Sequence, residues 1–281
     1  MSNRIIEQKT MEKFKHFLLM EEKSDNTIEK YIRDAECFAE YIGCAEVDKE
    51  SVIMYKNKLI EKGYANSSIN SIIASLNKLF SLLDWNDCKV KYIKEQRQMY
   101  CAAEKELTKS DYLRLVNTAK ANGNTRLSLI IQTICATGIR VSELKYITVE
   151  AIQRGEAKVT LKGKTRRVFI VDKLRKKLLK YISKKHIKHG AVFVTKWGNP
   201  INRSNIWREM KNLCDQAGVN PNKVFPHNLR HLFARSFYKI EKDVAKLADI
   251  LGHSSINTTR IYIVTTAREH RMRMEQMRLI I

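Results

Sequence analysis

Two stretches in the first third of the chain obey one period, and that period admits few folds. Ile28, Tyr31, Ile32, Ala35, Phe38, Ala39 and Ile42 recur at three- and four-residue steps, as do Ile69, Ile72, Ile73, Leu76, Leu79, Phe80 and Leu83. A stripe of this kind is an amphipathic α-helix that must bury one face. The flanks agree. Ser24 or Asp25 caps the first stripe and Gly43 closes it, while Asn66-Ser67-Ser68 caps the second. Residues 8–20, with Phe14, Phe17 and Leu18 on one side, and residues 48–62, closed by Gly63, supply two more helices. Four such helices with short connections predict a small bundle over residues 1–88.

The period fades over residues 89–106, which read as a linker to a second domain spanning 107–281. There Thr108 opens a helix in a capping arrangement with Asp111, and Leu127, Ile130, Ile131 and Ile134 mark another that ends near Thr137-Gly138. Residues 157–161 and 167–171 flank Lys162-Gly163-Lys164-Thr165 and predict a β-hairpin with a basic tip. Val192-Phe193-Val194 reads as a short strand before the Gly198-Asn199-Pro200 turn, and Ser204 to Leu213 as an amphipathic helix. The expected fold is mostly α, a helical bundle followed by a mainly helical domain with one small β-hairpin.

Charge separates the two halves. The net charge is +22, yet residues 1–100 hold 16 basic and 16 acidic residues, so the whole excess lies in 101–281. Between Lys158 and Lys188 there are 13 Lys/Arg and one acid, Asp172. Solubility needs a net charge of only roughly 2–8, so this excess points to a polyanion, nucleic acid before an anionic membrane. Several of these lysines still fit a solvated helix face after Asp172. No apolar run reaches the length of a membrane span and the N-terminus lacks a signal-peptide core, so a cytoplasmic, nucleoid-associated protein is expected. The six cysteines form no C-x-x-C pair and read as reduced. His227 and His231 stand at i, i+4, but no Glu follows His227 and no Cys lies near, so no metal or other cofactor is expected.

The chemistry-bearing residues lie in separate blocks: Ala136-Thr137-Gly138-Ile139-Arg140-Val141-Ser142-Glu143-Leu144, then Pro226-His227-Asn228-Leu229-Arg230-His231, then Leu251-Gly252-His253 with Tyr262 nine residues further on. Each residue type alone is common in structural roles. Arg140, Arg230, His227, His253 and Tyr262, with Lys162 or Lys164, together supply two guanidiniums, two imidazoles, a phenol and an ammonium. Arginines can hold phosphodiester oxygens in forked hydrogen bonds. A histidine can take a phenolic proton and a lysine can protonate a leaving alkoxide.

The ordered blocks resemble the tyrosine recombinases of the phage-integrase family, in a two-domain, Xer-like form, over nearly the whole chain. The resemblance implies a helical core-binding domain and a catalytic domain closing as a C-shaped clamp on DNA. It implies that Arg140 and Arg230 bind the scissile phosphate, His253 donates a hydrogen bond to it, His227 moves the nucleophile's proton, and Tyr262 attacks to give a 3′-phosphotyrosyl link. Glu143 would support the site. The family's lysine falls at the hairpin; many members read G-K-G there, whereas Leu161 precedes Lys162-Gly163 here, so Lys162 is the expected general acid and Lys164 the alternative. Arg166, Arg167, Arg203, Arg208, Lys211, Arg235 and Arg260 are candidates for DNA contact. Residues 268–281, with an apolar end at Leu279-Ile280-Ile281, are expected to dock on a neighbouring protomer in a tetramer on two DNA sites. The chain begins almost at the helical bundle, so an additional arm-binding domain is not expected. A type IB topoisomerase and an inert DNA-binding accessory protein are the alternative readings.

Overall fold

The computed structural model describes residues 4–43, 45–94, 106–161, 164–195, 197–263 and 267–277. The chain forms two compact units, residues 1–97 and 98–281.

The first unit holds α1 (Gln8–Met20), α2 (Asp25–Ile42), α3 (Lys49–Glu61) and α4 (Asn66–Leu82), then a short 3-10 turn over Asn86–Cys88. The two apolar stripes face each other: Ile28, Ala35 and Phe38 of α2 and Ile69, Ile73, Leu76, Leu79 and Phe80 of α4 are buried. Phe38 meets Tyr55 and Phe80 edge-on at 5.2 and 6.0 Å, the geometry that aromatic quadrupoles favour. The buried carboxylate of Asp34 is satisfied by Lys30 Nζ at 2.5 Å and Ser75 Oγ at 2.8 Å. Residues 89–94, expected in the linker, instead run along this unit. The Asn77 amide exchanges hydrogen bonds with the backbone of Val90, and the Asn70 amide does so with Ile93. Polar side chains hold this segment, so no apolar period announced it. Residues 95–105 of the expected linker lie outside the described residues.

The second unit begins with α5 (Lys109–Ala121) and α6 (Thr125–Thr137). A 3-10 turn over Val141–Tyr146 and α7 (Val149–Arg154) follow, then strands β1 (Glu156–Leu161) and β2 (Lys164–Phe169). Helices α8 (Asp172–Lys185), α9 (Arg203–Asn212), α10 (Cys214–Ala217), α11 (Pro226–Glu241), α12 (Val244–Leu251), α13 (Ile256–Arg260) and α14 (Ala267–Gln276) complete it. Thr108 and Asp111 form the reciprocal cap expected of them. The strands pair antiparallel, with Glu156 opposite Phe169 and Leu161 opposite Lys164. The expected strand at 192–194 is not one. Val194 makes an isolated bridge with Pro200, while Val192 and Phe193 are buried as irregular chain. Three residues that bond to Ile147 on one side and Ile201 on the other bury apolar surface without building a ladder.

Helix α6 is the spine of this unit. Its Ile130, Ile131 and Ile134 are fully buried, and α5, α8, α9 and α11 pack around it. This packing fixes α11, which carries His227 and Arg230, beside the α6 C-terminus, from which Arg140 departs.

Candidate active site

The site is assembled on the C-terminal ends of α6 and α12. Both helices end in a glycine with positive φ, Gly138 at +64° and Gly252 at +65°, a cap that leaves the last carbonyls free to accept bonds. A side chain is excluded at both places. A Cβ on Gly138 would lie 2.5 Å from Phe233 Cδ1, and one on Gly252 would lie 2.4 Å from Arg166 Cδ. The freed carbonyls recruit arginines. Ile250 O accepts from Arg166 Nη1 at 2.8 Å, Leu251 O from Arg230 Nη2 at 2.7 Å, and Gly252 O from Arg140 Nη2 at 3.5 Å. Three guanidiniums therefore converge on the negative pole of one helix.

Arg230 is the centre of this group. It is 1% exposed, and its Nη1 also donates to Gly138 O at 2.5 Å. Among the described residues it pairs with no carboxylate, and its Nε has no hydrogen-bond partner. Burial, then the charge of Arg140, brings its pKa down to about 10, so it stays cationic at neutral pH. A buried cation with an unused N–H carries a desolvation cost that an incoming anion would relieve.

Glu143 holds the other two arginines. Its buried carboxylate accepts from the Arg140 backbone N at 2.8 Å, from Arg140 Nη1 at 3.0 Å and from Arg166 Nη2 at 2.6 Å. Arg166 was expected to contact DNA; instead it turns inward from β2 and ties the hairpin to Glu143 and α12. The Arg166 guanidinium is lowered by burial, against which Glu143 acts. Arg235 departs from expectation in the same way, since it pairs with Glu106 and donates to Leu107 O at 3.3 Å. Arginines turned inward cannot be told from outward ones by residue type.

Tyr262 sits against the histidines. Its hydroxyl is 3.0 Å from His227 Nε2 and its ring is buried. His231 stacks on that ring at 4.1 Å between centroids and 21°, while His227 meets it at 61°. His253 contacts Arg230 Nη2 through Nε2 at 2.8 Å and Thr259 Oγ1 through Nδ1 at 2.8 Å. Burial first, then the arginines, lowers His227 and takes His253 to about 4; burial and His227 do the same to His231. All three rings are neutral at pH 7. His231 and Thr259 were not singled out as site residues in the sequence. The i, i+4 spacing of His227 and His231 was the available signal for the first, and nothing local marks the second.

The cluster opens on a cavity of about 810 Å³ lined by Arg140, His227 and Arg230 together with Arg203, Trp207 and Arg208. Arg203 and Arg208 thus reach the same opening, whereas Lys211 donates to Pro221 O on its own unit. Arg167 and Arg260 are exposed, with Glu156 3.6 Å from Arg167. Lys162 lies outside the described residues, and for Lys164 only the backbone, at the start of β2, is described.

This arrangement matches known proteins. Residues 105–269 match the Phage integrase family, and residues 11–87 match the phage integrase N-terminal SAM-like domain. The chain belongs to the phage integrase family. The tyrosine recombinase XerA of Pyrococcus furiosus is 27% identical over 287 residues, covering 100% of this chain and 98% of its own. The tyrosine recombinase XerH of Campylobacter jejuni is 38% identical over 167 residues, covering 57% of this chain and 47% of its own. A crystal structure of XerA recombinase is similar at TM-score 0.54 and 25% identity, covering 97% of this chain and 99% of that one. A lambda integrase dimer bound to a COC′ core site shares the fold at TM-score 0.75 and 16% identity, covering 92% and 95%. This phage-integrase-family chain is therefore an enzyme of DNA recombination, and the topoisomerase and inert-accessory readings are not favoured. No described helix is long and apolar enough to cross a membrane.

Proposed function

We propose that this chain is a site-specific recombinase in which Tyr262 attacks a DNA phosphorus held by Arg140 and Arg230. The observation that carries the reading is the 3.0 Å contact of the Tyr262 hydroxyl with His227 Nε2, beside a buried Arg230 whose Nε lacks a partner. A free tyrosine, with a pKa of about 10, is a weak nucleophile. A neutral His227 takes the phenolic proton as the oxygen attacks, and the guanidiniums stabilise the charge gathering on the phosphoryl oxygens. His253 adds a hydrogen bond to the same oxygens. The 5′-oxygen leaves with a proton from Lys162, with Lys164 the alternative donor, and the phosphodiester becomes a 3′-phosphotyrosyl bond. That bond keeps the energy of the one it replaced, so rejoining needs no ATP, and the positive charge on the phosphate is supplied without a metal.

Arg167, Arg203, Arg208 and Arg260 are placed in this reading as contacts to the DNA backbone, which predicts binding that weakens steeply with salt. Residues 268–281 are assigned to docking between protomers in a tetramer on two DNA sites. Met272, Met274 and Met277 of this tail are exposed in the single chain, which supports that use; residues 278–281 lie outside the described residues. A chain ending at residue 267 should bind DNA and lose cooperative assembly in gel shifts, and unchanged assembly would refute the docking. Chromosome-dimer resolution and movement of a small element are both compatible roles. The test is to incubate the protein with a library of nicked duplexes and sequence the DNA that stays covalently attached. A single enriched site, absent with Tyr262→Phe, supports the proposal; no retained DNA overturns it.

A further inference from the structure

His253 is held in a way that leaves it unable to do what the phosphate needs. Its Nε2 lies 2.8 Å from Arg230 Nη2. A guanidinium nitrogen only donates, so Nε2 presents its lone pair there. In a neutral ring the proton then sits on Nδ1, which donates to Thr259 Oγ1 at 2.8 Å. In this resting arrangement His253 offers no N–H to an anion. Thr259 is fully buried, and this is the one hydrogen bond its hydroxyl makes among the described residues. Among the described residues its own hydrogen therefore has no acceptor. A hydroxyl can donate as well as accept, and a buried polar hydrogen without a partner is costly.

We propose that Thr259 is a positioning residue for His253: its hydroxyl supports the ring with the proton on Nδ1 while Arg230 holds Nε2, and with the proton on Nε2 once a phosphate takes that place. The proposal rests on the phosphate-gripping reading above. When an anion enters, Nδ1 releases its proton to water and Nε2 gains one from water, so the ring's charge is unchanged. The threonine hydrogen rotates onto the vacated Nδ1 lone pair, and Nε2–H points to the phosphate oxygen. The competing route is a doubly protonated ring. The surroundings oppose it, because Arg140, Arg166 and Arg230 face His253, along with His227 and the Tyr262 ring. Burial and these charges hold the imidazole at about 4.

The test uses the full chain labelled with ¹⁵N-histidine and titrated with inorganic phosphate, with His253 assigned from its loss in His253→Asn. Two-bond ¹H–¹⁵N correlations report which ring nitrogen carries the proton. The expected result is Nδ1–H in the free protein and Nε2–H at saturation. Thr259→Val should bind phosphate about tenfold more weakly and show no clean exchange of tautomers, and Thr259→Ser should restore both. Retention of Nδ1–H in the bound state, a doubly protonated ring, or unchanged behaviour in Thr259→Val would each overturn the proposal while leaving phosphate binding intact. If the unmodified protein binds no phosphate, or if Arg140→Ala and Arg230→Ala bind it equally well, the phosphate-gripping reading fails, and this proposal with it.

Discussion

Replacing Glu143 by Gln tests how the arginines are held. The carboxylate is 1% exposed and accepts from three donors, two of them guanidiniums. Gln keeps the shape and one acceptor oxygen, but its amide nitrogen then faces a cation. Leaving a buried ion without its partner costs about 3–5 kcal/mol. The side chain of Arg166 is 13% exposed and bears most of that cost, whereas Arg140, at 31%, is partly screened. A loss of about 3 kcal/mol in urea unfolding is expected. Arg140 loses its anchor as well, so the rate of Tyr262 adduct formation on a nicked duplex should fall about 10²-fold, as when one preorganised donor is removed. In a double-mutant cycle, Glu143→Gln with Arg166→Gln should lose less than the sum of the single changes, with a coupling of about 1–3 kcal/mol. A Glu143→Gln protein within about 0.5 kcal/mol of the parent, inside the range of an ordinary surface change, and with its cleavage rate intact would refute this account of the cluster.

Gly252→Ala strains a residue at φ +65° and pushes a Cβ into Arg166, which Ile250 O and Glu143 hold in place; a loss of about 1–3 kcal/mol by thermal unfolding is expected, and a neutral change would contradict it. His231→Ala removes the ring stacked on Tyr262. It should lower stability by about 1 kcal/mol and slow adduct formation more than His231→Phe does; equal rates for the two variants would show that the stack does not place the phenol. The neutral histidines also set a pH dependence. His231 and His253 stand at about 4 in the folded chain, against about 6.5 when unfolded. Between those values the unfolded state binds more protons, so stability is full above about pH 6.5 and declines as pH falls towards 4. Urea midpoints should show that decline, and it should be smaller in His231→Phe.

The bundle and the first helix of the second unit were legible because their information is local. The stripes of α2 and α4 and the reciprocal cap of Thr108 with Asp111 are written within a few residues, and the structure reproduces them. The site blocks were legible as a spaced pattern, and the fold brings Arg140, His227, Arg230, His253 and Tyr262 together. What escaped depends on direction. Arg166 and Arg167 are neighbours in a basic strand, yet strand alternation sends Arg166 to Glu143 and Arg167 to solvent. Nothing in the residues around Thr259 marks it until His253, six residues earlier, folds back onto it. Residues 89–94 looked like linker because asparagine amides hold them rather than an apolar stripe.

Peptide mapping by mass spectrometry of the protein–DNA adduct asks the central question most directly. A phosphodiester link from the Tyr262 oxygen to a DNA 3′ end, with a free 5′-hydroxyl on the released strand and no adduct in Arg230→Ala, is the expected outcome. A link at another residue, a 5′-phosphotyrosyl end, or full adduct yield without Arg230 would contradict it.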